Sequence, residues 1–255
     1  MNEILKGYSD NIPKKIINQL RPGDPVLVDD GMIEGEVESI SERGAVIKVK
    51  KVLLQKGVRL KAHKGLNFPK TSLKIKIITD KDKRDLDFIC RNADIIGCSF
   101  VKNAEDINEL QTEIQKRVGE ESSCRIPLVA KIETVQGVEN LPKIIVEAAG
   151  KNPFSIMIAR GDLAIEAGYL RLAELQEEIL WICEAAHIPV IWATQVLETM
   201  VQTGIPTRAE ITDAVMGSEA ECIMLNKGNY LPDGVRALDD ILQKMQAHQY
   251  KKTRG

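Results

Sequence analysis

Lys131-Ile132-Glu133 closes one apolar run of this sequence, and Ala159-Arg160-Gly161-Asp162 closes the next. Such runs read as buried strands, so a lysine and two carboxylates reach the C-terminal ends of adjacent parallel strands, where α/β folds assemble their active sites. Residues two apart on a strand point to one face, so Lys131 and Glu133 enter the same site while Ile132 packs behind them. A strand-end ion pair in solvent would explain those two alone, but Asp162 at the next strand end argues against it. The glycine in Arg160-Gly161-Asp162-Leu163 predicts a turn whose N–H groups can receive a carboxylate or phosphate. Two carboxylates with open positions around them suit a hard divalent ion that keeps waters and takes substrate oxygens, Mg2+ or Mn2+. One cation and two acids in that place point to metal-assisted enolate or phosphoryl chemistry.

The following strand ends Trp192-Ala193-Thr194-Gln195. A threonine there is either a helix cap or a proton-relay hydroxyl facing the same site. Thr207 and Glu210, three apart at the start of a helix, form a capping box that needs no chemistry to explain it.

The elements that would carry these residues fall into two styles. Residues 22–69 hold short Val- and Ile-rich runs (Val26-Leu27-Val28, Ala45 to Val49, Val58 to Leu60) punctuated by Gly31, Gly35, Gly44 and Gly57. Ala45 to Lys50 alternates with period two, and Glu42-Arg43-Gly44 before it predicts a hairpin turn, so this is a small antiparallel β module. Residues 1–21 are polar, without a sustained period, and read as a loosely ordered lead-in.

From about residue 80 helices and strands alternate. Helices are expected over Lys81–Arg91, Ala104–Arg117, Val138–Ala149, Leu170–Ala186, Thr207–Ser218 and Val235–Gln249; strands over Asp94–Phe100, Ile126–Glu133, Phe154–Arg160, Val190–Thr194 and Cys222–Leu225. The strands are short and almost wholly apolar, as parallel strands covered on both faces must be. The class is α/β, in residues 70–255. Five strands at about 34 residues per unit fall short of the eight that close a barrel. Periodicity alone leaves an open doubly wound sheet and part of a barrel equally open.

Composition removes several classes. With 255 residues and 44% apolar content the chain can bury a substantial core. Its formal charge of −2 gives no sign of nucleic-acid binding. No run approaches the roughly 18 apolar residues of a membrane helix, and Met1-Asn2-Glu3-Ile4 does not begin a secretory signal; a soluble cytoplasmic protein without membrane partners is expected. Cys90, Cys98, Cys124, Cys183 and Cys222 are scattered, without metal or disulfide spacing, and read as reduced packing residues.

Lys131-Ile132-Glu133, Ala159 to Leu163, Ala193-Thr194-Gln195 with Leu197-Glu198, Pro206 to Glu210, and Cys222 to Leu225 follow in an order and near-spacing that resemble the pyruvate kinase family. The similarity extends upstream through Ser99-Phe100, Lys64 to Pro69 and Val28-Asp29-Asp30-Gly31, covering roughly residues 22–245. It implies a partial (β/α)8 TIM-type barrel of about five βα units with a β-rich lid over residues 22–69, and a phosphotransferase of glycolysis that moves phosphate from phosphoenolpyruvate to ADP, giving pyruvate and ATP. By resemblance, Lys131 is the catalytic lysine, Glu133 and Asp162 are the Mg2+ (or Mn2+) ligands, and Gly161 and Asp162 offer N–H groups to the substrate carboxylate. Thr194 lines the substrate and delivers a proton, and Lys64 reaches the ADP phosphates.

Three departures are expected to matter. The family's N-terminal strands, with a nucleotide-facing arginine and the K+ ligands, have no counterpart here, nor has its regulatory C-terminal domain. Asn226-Lys227-Gly228-Asn229 stands where the family usually reads Ser-Gly-Glu-Thr. A homo-oligomer, or a segment that completes the barrel, is therefore expected. Two other functions fit the same residues: a Mg2+-dependent lyase or aldolase acting on pyruvate enolate, for which the lid has no evident use, and a non-catalytic binding module.

Overall fold

The computed structural model describes residues 4–5, 14–29, 31–42, 44–53, 65–69, 71, 73 and 75–252, with backbone alone at 4, 5, 15 and 247–252. It divides into two compact units, Met1–Lys76 with Ala164–Tyr169, and Ile77–Leu163 with Leu170–Gly255.

The first unit is built on an antiparallel sheet. β1 (Ile4–Leu5), β2 (Pro25–Val28), β3 (Ile33–Ser41), β4 (Gly44–Val52) and β5 (Leu66–Asn67) lie in the order β1-β4-β3-β2-β5, with helix α1 (Lys14–Ile17) before β2. β3 and β4 form the expected hairpin: Ser41 pairs with Gly44, whose φ of 136° suits glycine. Leu20, Val26 and Val37 form the core, with Phe68 and Leu73 against it. Within the expected lead-in, residues 1–3 and 6–13 lie outside the described residues. β1 pairs with β4 and Leu20 is buried in that core, because short pieces without a period of their own are ordered by the sheet they join. The expected run Val58 to Leu60 and Lys64 lie outside the described residues.

The second unit alternates helix and strand. In chain order it runs α2 (Asp80–Asn92), β6 (Ile96–Cys98), α3 (Ala104–Val118), α4 (Glu120–Ser123), β7 (Leu128–Ile132), α5 (Val135–Glu139), α6 (Leu141–Ala149) and β8 (Phe154–Ala159). Then come α7 (Arg160–Ala167), α8 (Tyr169–Ala186), β9 (Val190–Val196), α9 (Glu198–Thr203), α10 (Arg208–Met216), β10 (Cys222–Leu225) and α11 (Leu231–Lys252). Capping boxes set three helix starts, Thr79 with Asp82, Asn103 with Asp106, and Thr207 with Glu210. The helix expected over Val138–Ala149 is two, broken at Asn140, because Pro142 fits only the first turn of a helix.

All five strands of this unit are parallel, in the order β10-β9-β8-β7-β6. Doubly wound sheets reverse their strand order at a switch point; this one never does. With right-handed crossovers, a monotonic order puts every connecting helix on one face, as in a barrel wall. The register agrees. Ala130, Ile132, Ile156, Ile158, Val190 and Trp192 share one face and are buried. On the other face Val129, Ala159 and Ala193 are buried, Ser155, Met157 and Ile191 half-buried, and Gly97 and Cys222 exposed. The expectation of two covered faces therefore holds fully for one and in part for the other, which is the face a closed barrel turns inward. Cys98 and Cys183 are buried, but Cys124 and Cys222 are exposed, which corrects their reading as packing residues. No helix among the described residues is long and apolar enough to cross a membrane.

Candidate functional site

The C-terminal ends of β6 to β9 gather most of the residues singled out by sequence. At the end of β7, Lys131 Nζ lies 2.6 Å from Glu133 Oε1 and donates to Ser99 Oγ at 3.1 Å. Glu133 retains 1% side-chain exposure against 30% for Lys131, so this is a buried carboxylate held by a partly solvated ammonium. Its Oε2 accepts the Phe100 N–H at 2.5 Å, with Phe100 in the left-handed region at φ 56° just past β6. Burial pushes the Glu133 carboxyl above the usual carboxylate range; the bond to Lys131 is the chief opposing influence, and the charge of Asp162 adds to the rise. The two carboxylates of adjacent strand ends thus feel one another.

β8 passes directly into α7. Gly161 and Asp162 lie in the first helical turn, where the expected glycine turn does not form, and the positive end of the helix dipole favours the Asp162 carboxylate. The Gly161 N–H donates to Thr194 Oγ1 at 2.8 Å. That bond differs from the sequence expectation of an N–H offered outward. Neither a positive φ nor its neighbours demand glycine at 161, since an added Cβ would stand 3.6 Å from Thr194 Oγ1; a side chain there would fill the space beside the hydroxyl. Thr194 is not a helix cap.

Arg160 belonged to the motif without a role. It is 6% exposed, and its guanidinium donates to the carbonyls of Ala193 and Thr194 and to the Asp213 carboxylate, with Trp192 beneath it. Sequence reading missed Asp213 and Trp192 as parts of this site, because no local spacing links positions 160, 192 and 213.

At the end of β10 the departure Asn226 to Asn229 docks on α9. Asn226 Nδ2 donates to Glu198 Oε2 at 2.7 Å, and Gln202 Nε2 donates to the Lys227 carbonyl at 2.8 Å. Glu210 completes its capping box and also accepts the Thr199 N–H, tying α10 to α9.

Hard oxygen donors of like charge at neighbouring strand ends fit a divalent cation, which would relieve their repulsion. Among the described residues no group of three or more His, Cys, Asp or Glu is placed to hold a metal. Two carboxylates leave positions for water and substrate oxygens, the style of Mg2+.

A family model described as the pyruvate kinase barrel domain matches residues 9–243. The chain belongs to the pyruvate kinase family. It is 34% identical over 238 residues to a pyruvate kinase of Hypocrea jecorina, across 91% of this chain and 42% of that one. A pyruvate kinase of Debaryomyces hansenii is 36% identical over 247 residues (92% and 46%), and one of Clostridium acetobutylicum 32% over 238 residues (91% and 47%). The chain thus spans somewhat under half the length of these curated relatives. The five-stranded parallel sheet is part of the family's barrel.

Proposed function

We propose that the protein is a phosphotransferase that moves the phosphoryl group of phosphoenolpyruvate to ADP, giving pyruvate and ATP, in cytoplasmic glycolysis. The supporting observation is the Lys131–Glu133 pair at 2.6 Å with the Asp162 charge acting on it from the next strand end. Lys131 is assigned the charge that develops on the transferring group and on the departing enolate, where a preorganised cation acts most strongly. Glu133 and Asp162 are assigned to Mg2+ or Mn2+. When bound, that ion supplies positive charge to the substrate oxygens and orients them. The first turn of α7, at Gly161 and Asp162, faces the substrate carboxylate, and the Thr194 hydroxyl carries the proton that converts enolate to pyruvate. Lys64 is assigned to the ADP phosphates. K+ belongs to the reading only through the family, and a homo-oligomer or a completing barrel segment would supply what the open sheet face lacks.

An assay coupled to pyruvate release, with phosphoenolpyruvate, ADP and Mg2+, tests the reading: turnover dependent on all three supports it. The half-exposed second face of the sheet favours a different outcome, a binding module without catalysis. Phosphoenolpyruvate binding measured by calorimetry without pyruvate release would establish that one instead.

A further inference from the structure

Just before its last residue, β9 carries two consecutive non-glycine residues in the left-handed region, Thr194 (φ 67°) and Gln195 (φ 57°). Each costs about 1–2 kcal/mol and persists only where its surroundings impose it. The register shows where the ladder gives way. Trp192 pairs with Ile223 and Val196 with Leu225, so three residues of β9 oppose one of β10. Such a bulge disrupts the regular ladder bonding.

Arg160 takes up two carbonyls at this point. Its Nε donates to Ala193 O at 3.0 Å and its Nη2 to Thr194 O at 2.5 Å. The guanidinium is held in turn. Nη2 donates to Asp213 Oδ2 at 3.0 Å, Nη1 pairs with Asp213 Oδ1, and the Trp192 ring lies 4.5 Å away. Gly217 lets the indole seat there: a Cβ would come within 2.9 Å of Trp192 Cδ1. A planar fork that serves two carbonyls and one carboxylate while stacking on a ring is a task for arginine, not lysine.

We infer that Arg160 is a positioning residue for the Thr194 hydroxyl. By gripping the carbonyls on both sides of Thr194, those of Ala193 and of Thr194 itself, it holds Thr194 left-handed, with Oγ1 accepting the Gly161 N–H at 2.8 Å. That bond occupies one lone pair and leaves the hydroxyl proton for a ligand. The inference rests on the phosphoenolpyruvate reading and deepens it. As pyruvate forms, the enolate methylene carbon gains a C–H bond, its C=C electron pair takes the Thr194 proton, the enolate oxygen becomes the ketone, and water reprotonates Thr194. Misplacing the hydroxyl slows that step and leaves the carboxylates at the ends of β7 and β8 where they are.

The full chain carrying Arg160→Met, Arg160→Lys or Asp213→Asn is compared with Thr194→Val in two measurements: exchange of the Gly161 amide followed by NMR, and uptake of deuterium into the methyl group of pyruvate in heavy water with Mg2+. Arg160→Met and Thr194→Val should each speed Gly161 exchange about ten- to hundredfold, the scale of a lost hydrogen bond to or through a charged group. Arg160→Lys, which can serve one carbonyl but not the fork, should fall between, and Asp213→Asn should show the mildest change. Deuterium uptake should fall in the same order. Parental Gly161 exchange in Arg160→Met overturns the inference, as does a uniform rise across amides such as that of Ile114 in α3, which marks general loosening. If the unaltered chain takes up no deuterium while Gly161 responds as described, the phosphoenolpyruvate reading fails and the positioning of Thr194 stands.

Discussion

Replacing Lys131 with methionine keeps the aliphatic stem and removes the ammonium 2.6 Å from Glu133. The Glu133 side chain is only 1% exposed, so water cannot take over the contact. Breaking a fully buried pair costs about 3–5 kcal/mol, whereas a charge-assisted bond contributes about 1.5–3. Lys131 keeps 30% exposure, and Glu133 keeps the Phe100 N–H, which puts the loss near the lower figure, about 2 kcal/mol at neutral pH. The sign with pH follows from the carboxyl. Burial already raises its folded pKa, and a raised carboxyl contributes stability at low pH that is lost as pH rises through the folded value. Without the ammonium that value rises further, so the deficit of Lys131→Met grows with pH. Urea unfolding at about pH 5 and about pH 8 reads it directly. Lys131→Met/Glu133→Gln removes the orphaned charge while the side-chain carbonyl still accepts the Phe100 N–H, and should recover most of the loss at the higher pH. An equal deficit at both pH values, or a double variant no more stable than the single, would refute the buried-pair reasoning.

Glu113 gathers Lys116, Arg117 and Lys83 at 2.8–3.3 Å, and the bonds from Lys116 and Arg117 pull its pKa from 4.5 down to about 2. Its stabilisation is present above the ordinary carboxylate range and lost as pH falls toward 2, so Glu113→Gln should cost about 1 kcal/mol near neutrality, after solvent screening, and flatten the acid limb of the unfolding curve; a parental acid limb would contradict this. Cys98 and Cys183 are buried, with thiols pushed up to about 12, so a thiol reagent should reach them only on unfolding, while Cys124 and Cys222 label in the native chain. Native protection of Cys222 in dilute solution would mean that the second face of the sheet is covered.

The parts legible in the sequence are those whose causes are local. The boxes at Thr79, Asn103 and Thr207 fix helix starts from residues three apart. The apolar runs that became β7 and β8 needed only their own composition to read as strands, and their ends carried Lys131, Glu133 and Asp162 with them. What escaped depends on distant partners. The run into α7 is helical although Gly161 suggests a turn, and Thr194 inside β9 is left-handed because Arg160 holds the carbonyls on either side of it, with Asp213, 53 residues away, holding Arg160. β1 exists only as an addition to β4, and the exposure of Cys222 follows from its place on the edge strand of a sheet whose second face is covered only in part.

Manganese binding followed by electron paramagnetic resonance tests the central claim most directly, because it asks whether the carboxylates at the ends of β7 and β8 act together on one ion. The full chain should bind Mn2+, and both Asp162→Ala and Glu133→Ala should abolish that binding while leaving the far-ultraviolet circular dichroism unchanged. Undiminished affinity in either variant would contradict the account, for the two carboxylates would then not share an ion.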